Sequence, residues 1–384
     1  MKTVYLDNNA TTPLAPEVIE AMFASTGLYG NASSMHTAGR AAAEALERAR
    51  NAVGEMINAS NGSLIFTSGG SESDNAVFYT AKSLIDEGSK RNRILVSTVE
   101  HPAVIETVEA LSSQGYRIDY IPVDTYGEVL SETLEKLIDE TVLLVSVMSA
   151  NNETGTIMNI EELTRIAHSA GALMHTDAVQ AIGKIPVDVR SWGVDYLSLS
   201  GHKFYGPKGV GALYIRDGAP IRTFVKGGHQ EDGLRAGTYN TMSIIGMGEA
   251  ARIVIEKLDE DSDREWKLRE KLRKGIEETI PQTHVNGHPE HCLPGTLNIS
   301  FPQAEGESIL LYLDFEGISV STGSACATGS LEPSPVLLAA GLDVELAHGS
   351  IRFSIGRYTS EEDIDYVIEK LPPIIKRIRE ISTR

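Results

Sequence analysis

The sequence has little cysteine and no long apolar run. Its 384 residues include only Cys292 and Cys326, too few for the disulfide framework of a secreted domain, so we predict a cytoplasmic protein. No apolar stretch reaches the about 18 residues of a membrane span. The opening residues also lack the apolar core of a signal peptide.

Positive charge is scarce as well. The chain carries 34 Lys and Arg against 53 Asp and Glu, a net charge of −19. Nucleic acids and anionic membranes repel such a surface, so we expect neither as a partner. The apolar fraction of 41% and charged fraction of 23% are typical of a soluble globular protein.

Strand-like and helix-like segments alternate through the first two thirds of the chain. This alternation predicts an α/β fold, in which a mostly parallel sheet lies between helices. The predicted strands are 64–66, 93–97, 117–121, 142–147, 173–176, 195–199 and 211–215, and the helices between them include 71–85, 102–112, 132–138 and 160–169.

The pattern changes near residue 240, where two long helices are predicted at 240–259 and 262–279. Beyond them, strands and helices mix as in an α+β domain. We therefore predict a large domain over 14–257 and a smaller one formed by 1–13 and 258–384.

Lys203 follows a short apolar strand and precedes a glycine-rich turn, in Gly-His-Lys-Phe-Tyr-Gly-Pro. A lysine at the rim of a sheet is partly desolvated, which lowers its pKa and lets the neutral amine condense with an aldehyde. Pyridoxal phosphate (PLP) chemistry requires such a lysine. An isolated string of this kind is more often a surface loop, so the interpretation depends on other segments.

Three further segments supply parts of such a site. Gly70 and Ser71 open a helix after a strand, where backbone N–H groups favour a phosphate; the alternative is an ordinary helix cap. Asp177 follows a strand and could pair with a pyridine nitrogen, with Gln180 three residues on; the alternative is a helix-capping aspartate. His101 also follows a strand and could stack on a ring or move protons, although it could equally be a cap or a buried structural histidine.

These residues all fall near the carboxyl ends of predicted strands. In open α/β sheets, ligands bind along that edge. The sequence therefore predicts a PLP site there.

Together with other motifs, these segments resemble the cysteine desulfurases of the NifS/IscS type, which are class V, fold-type I PLP enzymes. The resemblance covers nearly the whole chain, and its motifs follow one another in family order. They are Tyr-Leu-Asp-Asn-Asn-Ala-Thr-Thr-Pro (5–13), Thr-Ser-Gly-Gly-Ser-Glu-Ser-Asp-Asn (67–75), Val-Glu-His-Pro (99–102), Asn-Asn-Glu-Thr-Gly (151–155), Asp-Ala-Val-Gln (177–180), Ser-Gly-His-Lys (200–203), Arg-Ala-Gly-Thr (235–238), Gly-Ser-Ala-Cys (323–326) and Ser-Ile-Arg-Phe-Ser (350–354).

The resemblance implies a role for each matching residue. Lys203 would hold the PLP aldehyde and act as the base at the substrate Cα. The other cofactor contacts would come from Asp177 at the pyridine nitrogen, Gln180 at the ring oxygen, His101 stacked on the ring, and Gly70, Ser71, Ser200 and His202 at the phosphate. Thr238 would reach the phosphate of a neighbouring subunit, which implies a homodimer. Asn152 and Arg352 would fix the substrate carboxylate.

Cys326 identifies the reaction that the resemblance implies. It lies among small and polar residues at 321–330, so we expect an exposed thiol on a loop of about 321–335. The thiolate would take sulfur from L-cysteine, leaving alanine and a persulfide. That sulfur would pass to an iron–sulfur scaffold or another acceptor, with tRNA thiolation as a further use, and Cys326 could transiently ligate a nascent cluster.

The chain departs from the family pattern at several positions. Gly70 and Ser71 stand where relatives often have Ala and Thr, Ala32 replaces a common proline, and residues 327–330 differ from the usual ones. The last difference leaves the choice of acceptor open.

Other interpretations stay open from sequence. One alternative is a selenocysteine lyase or another class V aminotransferase-like enzyme, which would need no Cys326. A non-enzyme alternative is a scaffold for cluster assembly. His288, His291 and Cys292 form a cluster without a fourth ligand, so we predict no resident metal.

Overall fold

The computed structural model describes residues 2–59, 62–322 and 333–382. The strands are β1 (Val4–Tyr5), β2 (Gly62–Thr67), β3 (Arg93–Ser97), β4 (Arg117–Ile121), β5 (Val142–Ser146), β6 (Leu173–Asp177), β7 (Tyr196–Ser200), β8 (Gly211–Arg216), β9 (His284–Asn286), β10 (Thr296–Ser300), β11 (Ile318–Ser319) and β12 (Ser350–Ser354). The α-helices are α1 (Pro16–Ala24), α2 (Thr37–Met56), α3 (Gly70–Asp86), α4 (Pro102–Ser113), α5 (Ser131–Leu137), α6 (Ile160–Ser169), α7 (Val189–Trp192), α8 (Thr241–Thr279), α9 (Gly306–Phe315), α10 (Pro335–Ala339), α11 (Val344–His348) and α12 (Glu361–Ser382).

Seven strands form the main sheet, in the order β2-β8-β7-β6-β5-β3-β4. β8 runs antiparallel to both of its neighbours, and the other adjacent pairs are parallel. This arrangement confirms the predicted α/β class and the mostly parallel seven-stranded sheet. Because β2 and β3 to β7 point the same way, their carboxyl ends meet at one edge.

Both faces of this sheet are buried. Along each strand, alternate side chains enter two different apolar clusters. Leu95, Val145 and Leu197 belong to the first cluster, whereas Leu144 and Tyr196 belong to the second. Near-continuous apolar runs such as Val-Leu-Leu-Val in β5 are what a doubly covered parallel strand requires.

A third apolar cluster lies around the antiparallel sheet β12-β10-β9. Its members include Leu297 and Phe353 together with Val4 and Leu6 from the opposite end of the sequence. β1 reaches it by pairing in parallel with β11. The exact domain limits at residues 13 and 257 stay a prediction.

The two predicted helices 240–259 and 262–279 are wrong, because α8 is one helix of 39 residues. The polar residues at the predicted break are paired instead of ending the helix. Asp261 accepts a 2.7 Å hydrogen bond from Arg357, and Ser262 Oγ donates to the carbonyl of Lys184 at 2.7 Å. Tertiary contacts thus override the local signal, and α8 crosses from the first apolar cluster into the third.

Across the described ranges, no helix has both the length and the apolar character that crossing a bilayer requires.

Candidate active site

The shared carboxyl edge of the main sheet gathers most of the predicted site residues. Gly70 opens α3 just after β2, and His101 precedes α4 after β3. Asp177 ends β6, and Ser200 ends β7, three residues before Lys203.

Lys203 ends a short 3-10 turn, Gly201–Lys203, and its amine faces the segment that follows β1. Nζ donates hydrogen bonds to the carbonyls of Asn9 at 2.6 Å and Ala10 at 2.9 Å. Thr12 fastens the same segment to the turn, because both its N–H and its hydroxyl donate to the carbonyl of His202 at 3.0 Å. The amine is therefore held at the sheet edge by two backbone acceptors.

The turn before α3 makes a tight backbone cradle. A Cβ added at Gly70 would lie 2.7 Å from Val179 Cγ2, and one at Gly69 would lie 3.7 Å from Ser200 Oγ. The N–H groups at the start of this 17-residue helix thus lie close to Ser200. Backbone N–H groups at a helix start, beside a hydroxyl, are the donor set that phosphate binds.

His202 lies beside this cradle, with Nδ1 3.1 Å from Thr11 Oγ1. Burial, together with the positive charges of Lys203 and Lys208, lowers the pKa of His202 to about 4. The ring is therefore neutral at neutral pH and can serve as a hydrogen-bond donor or acceptor without adding charge.

Asp177 is a buried carboxylate in a cluster of buried acids. Its Oδ1 accepts a 2.8 Å hydrogen bond from the N–H of Val179. Burial, reinforced by repulsion from Asp74, raises the pKa of Asp177 to about 6, and burial raises that of Asp74 to about 6. His175, 3.5 Å from Asp74, brings no compensating charge because burial lowers its pKa to about 4. A cation next to Asp177 would relieve this repulsion.

His101 caps α4, since its Nδ1 accepts the N–H of Ala103 at 3.1 Å. The capping alternative is thus correct, and it is compatible with a second role because the imidazole also lies close enough to Asp177 and Asp74 for its charge to lower their pKa values. Stacking of this ring on a cofactor stays a prediction.

Arg352 is the middle residue of β12, an outer strand of the smaller sheet, and is 2% exposed. Nη1 donates to the carbonyl of Asn152 at 3.0 Å, and Nη2 pairs with Asp7 Oδ1 at 2.9 Å. Among the described residues, Arg352 Nε and Asn152 Oδ1 are buried without a hydrogen-bond partner. The two residues predicted to read a substrate carboxylate are therefore adjacent and incompletely satisfied.

Gln180 is linked to Lys203 through Asn9. Gln180 Nε2 donates to the Asn9 carbonyl at 3.0 Å, and Gln180 Oε1 accepts from Lys184 Nζ at 2.5 Å. Asn9 and Lys184 were not singled out from sequence. The signal for Lys184 was its spacing of four from Gln180, and the signal for Asn9 was its place in the opening motif.

Thr238 and Cys326 are the remaining predicted residues. Thr238 is exposed and lines a small cavity with Thr67 and Ser68, at the end of β2. Cys326 lies outside the described residues. At the two described ends of its loop, Ser321 pairs with the backbone of Arg352, and Ser334 Oγ donates to the buried Glu153.

A possible metal-ligand group in the described part of the chain consists of Glu128, His288 and His291, with ligand atoms within 4.8 Å of one another. Cys292, which the sequence placed in this cluster, is buried and does not belong to it. His288 Nδ1 accepts the N–H groups of Glu290 and His291 at 3.1 and 2.8 Å. The proton of the neutral ring is therefore on Nε2, whereas a metal-bound histidine donates from its free nitrogen, so this arrangement does not suit a metal.

Comparison with known proteins identifies the family. The family model for aminotransferase class-V matches residues 4–367. The chain belongs to the aminotransferase class-V family.

Similar relatives within this family are cysteine desulfurases. The chain is 46% identical to cysteine desulfurase NifS of Azotobacter vinelandii, over 100% of this chain and 95% of the relative. It is 48% identical to cysteine desulfurase IscS of Dictyoglomus turgidum, over 99% and 96%. A solved NifS-like protein superposes with a TM-score of 0.89 at 41% identity, covering 100% of both chains. These similarities confirm the resemblance to the NifS/IscS type and the class V fold.

Proposed function

We propose that this chain is a PLP-dependent cysteine desulfurase, which converts L-cysteine to L-alanine and leaves the sulfur as a persulfide on Cys326. The observation that supports the proposal is that the Lys203 amine lies at the same edge of the main sheet as the buried carboxylate of Asp177 and the turn at Gly70. The 46% identity to a full-length cysteine desulfurase supports the choice of reaction within the class V family.

The residues present fit PLP. The cradle at Gly70 has no room for a side chain and matches a phosphate that needs backbone donors. Burial and the charge of Asp74 raise the pKa of Asp177, and a protonated pyridine nitrogen would add a positive charge that stabilises its carboxylate. Ser71, Ser200 and His202 would complete the phosphate contacts, with Thr238 reaching across from a second subunit.

When bound, PLP withdraws electrons from the substrate Cα, and the protein residues do the rest. Asp177 would keep the pyridine nitrogen protonated, Gln180 would hold the ring oxygen, and His101 would cover one face of the ring. Lys203 Nζ takes the proton from the substrate Cα and later returns a proton to the product. The Asn9 and Ala10 carbonyls keep that amine near the point where it acts.

Arg352 and Asn152 bind the substrate carboxylate, which orients the thiol of L-cysteine toward the loop that carries Cys326. The Cys326 thiolate attacks the substrate sulfur, an S–S bond forms, and the C–S bond breaks with its electron pair left on the substrate carbon. Protonation of that carbon completes L-alanine. The persulfide then passes to an acceptor such as an iron–sulfur scaffold or the tRNA thiolation route, and Cys326 could hold a nascent cluster in transit.

The proposal includes a homodimer in the cytoplasm. Thr238 is exposed, as a residue that contacts another subunit must be before assembly. Several large apolar side chains near α1 are also exposed, among them Phe23 at 77%, Tyr29 at 87% and Met35 at 90%, and such exposure is typical of a surface that another chain covers.

The test is mass spectrometry of the purified protein after it is mixed with L-cysteine. We expect one additional sulfur atom on the peptide that contains Cys326, together with release of alanine. A Cys326→Ser variant should keep the cofactor absorbance but carry no added sulfur. Alanine release by that variant at the wild-type rate would instead favour a lyase, and a protein without cofactor absorbance would favour a scaffold.

A further inference from the structure

Lys184 is a buried lysine that the proposed chemistry does not use. It is 8% exposed, and its Nζ donates to Gln180 Oε1 at 2.5 Å and to Asn9 Oδ1 at 2.8 Å. Burying a lysine is costly unless its donors are satisfied, and both acceptors here belong to residues at the site edge. Its position therefore calls for an explanation at the site.

Asn9 is the point where the contacts of Lys184, Gln180 and Lys203 converge. Its carbonyl accepts from both Lys203 and Gln180, and its side-chain oxygen accepts from Lys184. Its side-chain nitrogen donates to Thr296 Oγ1 at 2.9 Å and to the Asn152 carbonyl at 3.1 Å. These donor contacts fix which way the Asn9 amide faces, so its oxygen must point to Lys184.

Lys184 fixes the orientation of the Gln180 side-chain amide in the same way. A glutamine amide has one acceptor end and one donor end that are nearly equal in shape, so an unconstrained amide can face either way. Lys184 has donors and no acceptor, so it binds the Oε1 end. The Nε2 end then donates one N–H to the Asn9 carbonyl. Its second N–H can donate to the oxygen on the PLP ring.

The ammonium form of Lys184 is the one that fixes the Gln180 amide, because the neutral amine keeps both contacts but also has a lone pair that can accept a hydrogen bond. Burial lowers the pKa of Lys184 to about 7, and the nearby charge of Lys203 acts in the same direction. Buried Glu265, on α8, acts in the opposite direction. Both the ammonium and the neutral amine have at least two N–H groups, which is the number that Gln180 and Asn9 accept.

We propose that Lys184 is a positioning residue that fixes the Gln180 amide for the cofactor ring oxygen. This inference depends on the proposed function, because it assigns the group that Gln180 meets as the PLP ring. Lys184 itself touches neither cofactor nor substrate.

The test is a double-mutant cycle on PLP binding, with Lys184→Met, Gln180→Ala and the double variant. The dissociation constant is measured by dialysis, and the absorbance maximum of the bound cofactor is recorded for each protein. We expect each single variant to weaken PLP binding by about tenfold, the scale of one buried hydrogen bond. The double variant should weaken it no further, because Lys184 acts through Gln180. Both single variants should shift the absorbance maximum in the same direction.

Lys90→Met is the matched control, since Lys90 is an exposed lysine just before β3, at the opposite edge of the main sheet, and should leave affinity and absorbance unchanged. Two results would overturn the inference. One is a double variant whose loss of PLP affinity is the product of the two single losses, and the other is a Lys184→Met protein with wild-type affinity. If Lys184→Met does not fold, Lys184→Gln, whose shorter side chain ends in an uncharged NH2 group, replaces it in the cycle. A wild-type protein that binds no PLP would instead refute the proposed function.

Discussion

At the scale of single residues, Arg352 meets two competing demands. Its guanidinium is buried and already pairs with Asp7 and the Asn152 carbonyl, yet a substrate carboxylate needs the same group. Nε is the donor without a partner among the described residues. A carboxylate must therefore share Arg352 with Asp7 or displace it, so Asp7 acts as a stand-in for the substrate.

Replacing Asp7 with asparagine tests this competition. We expect Asp7→Asn to lower the KM for L-cysteine by roughly threefold to tenfold, because the buried charge of Arg352 then gains more from the substrate carboxylate. The same change should lower the free energy of unfolding without substrate by about 1–3 kcal/mol, since the arginine loses its charged partner. Steady-state kinetics and chemical denaturation measure the two effects.

The control is Glu87→Gln, which breaks the exposed pair with Arg222 and should change neither quantity by much. A lower stability with unchanged KM would mean that Asp7 has a structural role alone.

Sequence reasoning could predict residues whose position follows from a strand end, but not those held by distant contacts. Asp177 and Lys203 come directly after strands, so their common edge follows from the alternating pattern. Asn9 accepts a hydrogen bond from Lys184, which lies 175 positions away in the sequence. The residues next to either of them in the sequence do not predict this contact. Long-range hydrogen bonds of this kind have no local signature.

At the scale of elements, β8 passes directly beneath the phosphate cradle. A Cβ at Gly211 would lie 2.5 Å from the carbonyl oxygen of Leu199 and 2.7 Å from the Cα of Gly69. Both are backbone atoms, so neither can move aside by changing a rotamer. The first residue of β8 must therefore be small for the turn before α3 to keep its place.

Gly211→Ala should push the cradle away from β7. We expect weaker PLP binding together with a loss of roughly 1–3 kcal/mol in unfolding free energy, the usual cost of overpacking. Fluorescence titration with PLP and thermal unfolding measure these effects. Gly27→Ala is the control, because nothing lies within 4 Å of its added Cβ. Normal PLP affinity in Gly211→Ala would show that the cradle does not depend on this contact.

The strands of the main sheet were easier to predict than the strands of two or three residues. All seven strands of the main sheet were expected, since apolar runs such as that of β5 are distinctive. β1, β9 and β11 have two or three residues each and exist through pairing with partners elsewhere, so no local pattern indicates them. The single helix α8 was divided wrongly because its polar middle is satisfied by residues that lie far away in sequence.

At the scale of the whole molecule, buried acids tie stability to pH. Burial raises the pKa of Glu265 to about 8 and that of Glu153 to about 7, although the charges of Lys184 and Arg352 respectively oppose the rise. The folded state holds these protons while the unfolded chain, with an ordinary glutamate pKa, releases them. Stability from these groups is therefore complete below about pH 4.5 and is lost as pH rises through 7 to 8.

Glu265→Gln should flatten this dependence. We expect the wild-type protein to lose more thermal stability between pH 5.5 and 8.5 than the variant does, at about 1.4 kcal/mol per unit of pKa shift as an upper bound. Melting temperatures at the two pH values measure it. Glu278→Gln, an exposed change on the same helix, should behave like the wild type. Equal slopes for all three proteins would contradict the assignment to Glu265.

The proposed dimer also makes a prediction at this scale. Tyr29→Asp places a charge on a side chain that is 87% exposed in the single chain. If this surface is covered by a second copy, burying the new charge is costly, and the variant should run as a monomer in light scattering. Phe315→Asp, at a side chain 68% exposed on α9, should stay dimeric. The reverse outcome would place the interface around α9.

The pairing of Leu6 has a consequence for how the protein is made. The N–H of Leu6 donates to the carbonyl of Ser319, and the carbonyl of Leu6 accepts from the N–H of Ser354. The segment around β1 therefore cannot reach its folded position until residue 354 has been synthesised. Until then the apolar side chains of Val4 and Leu6 remain exposed, and a chaperone could bind them. The Asn9 and Ala10 carbonyls likewise have no fixed position near Lys203. We therefore expect PLP to bind only after synthesis of the chain is nearly complete. Truncated chains should lack the absorbance of the bound cofactor.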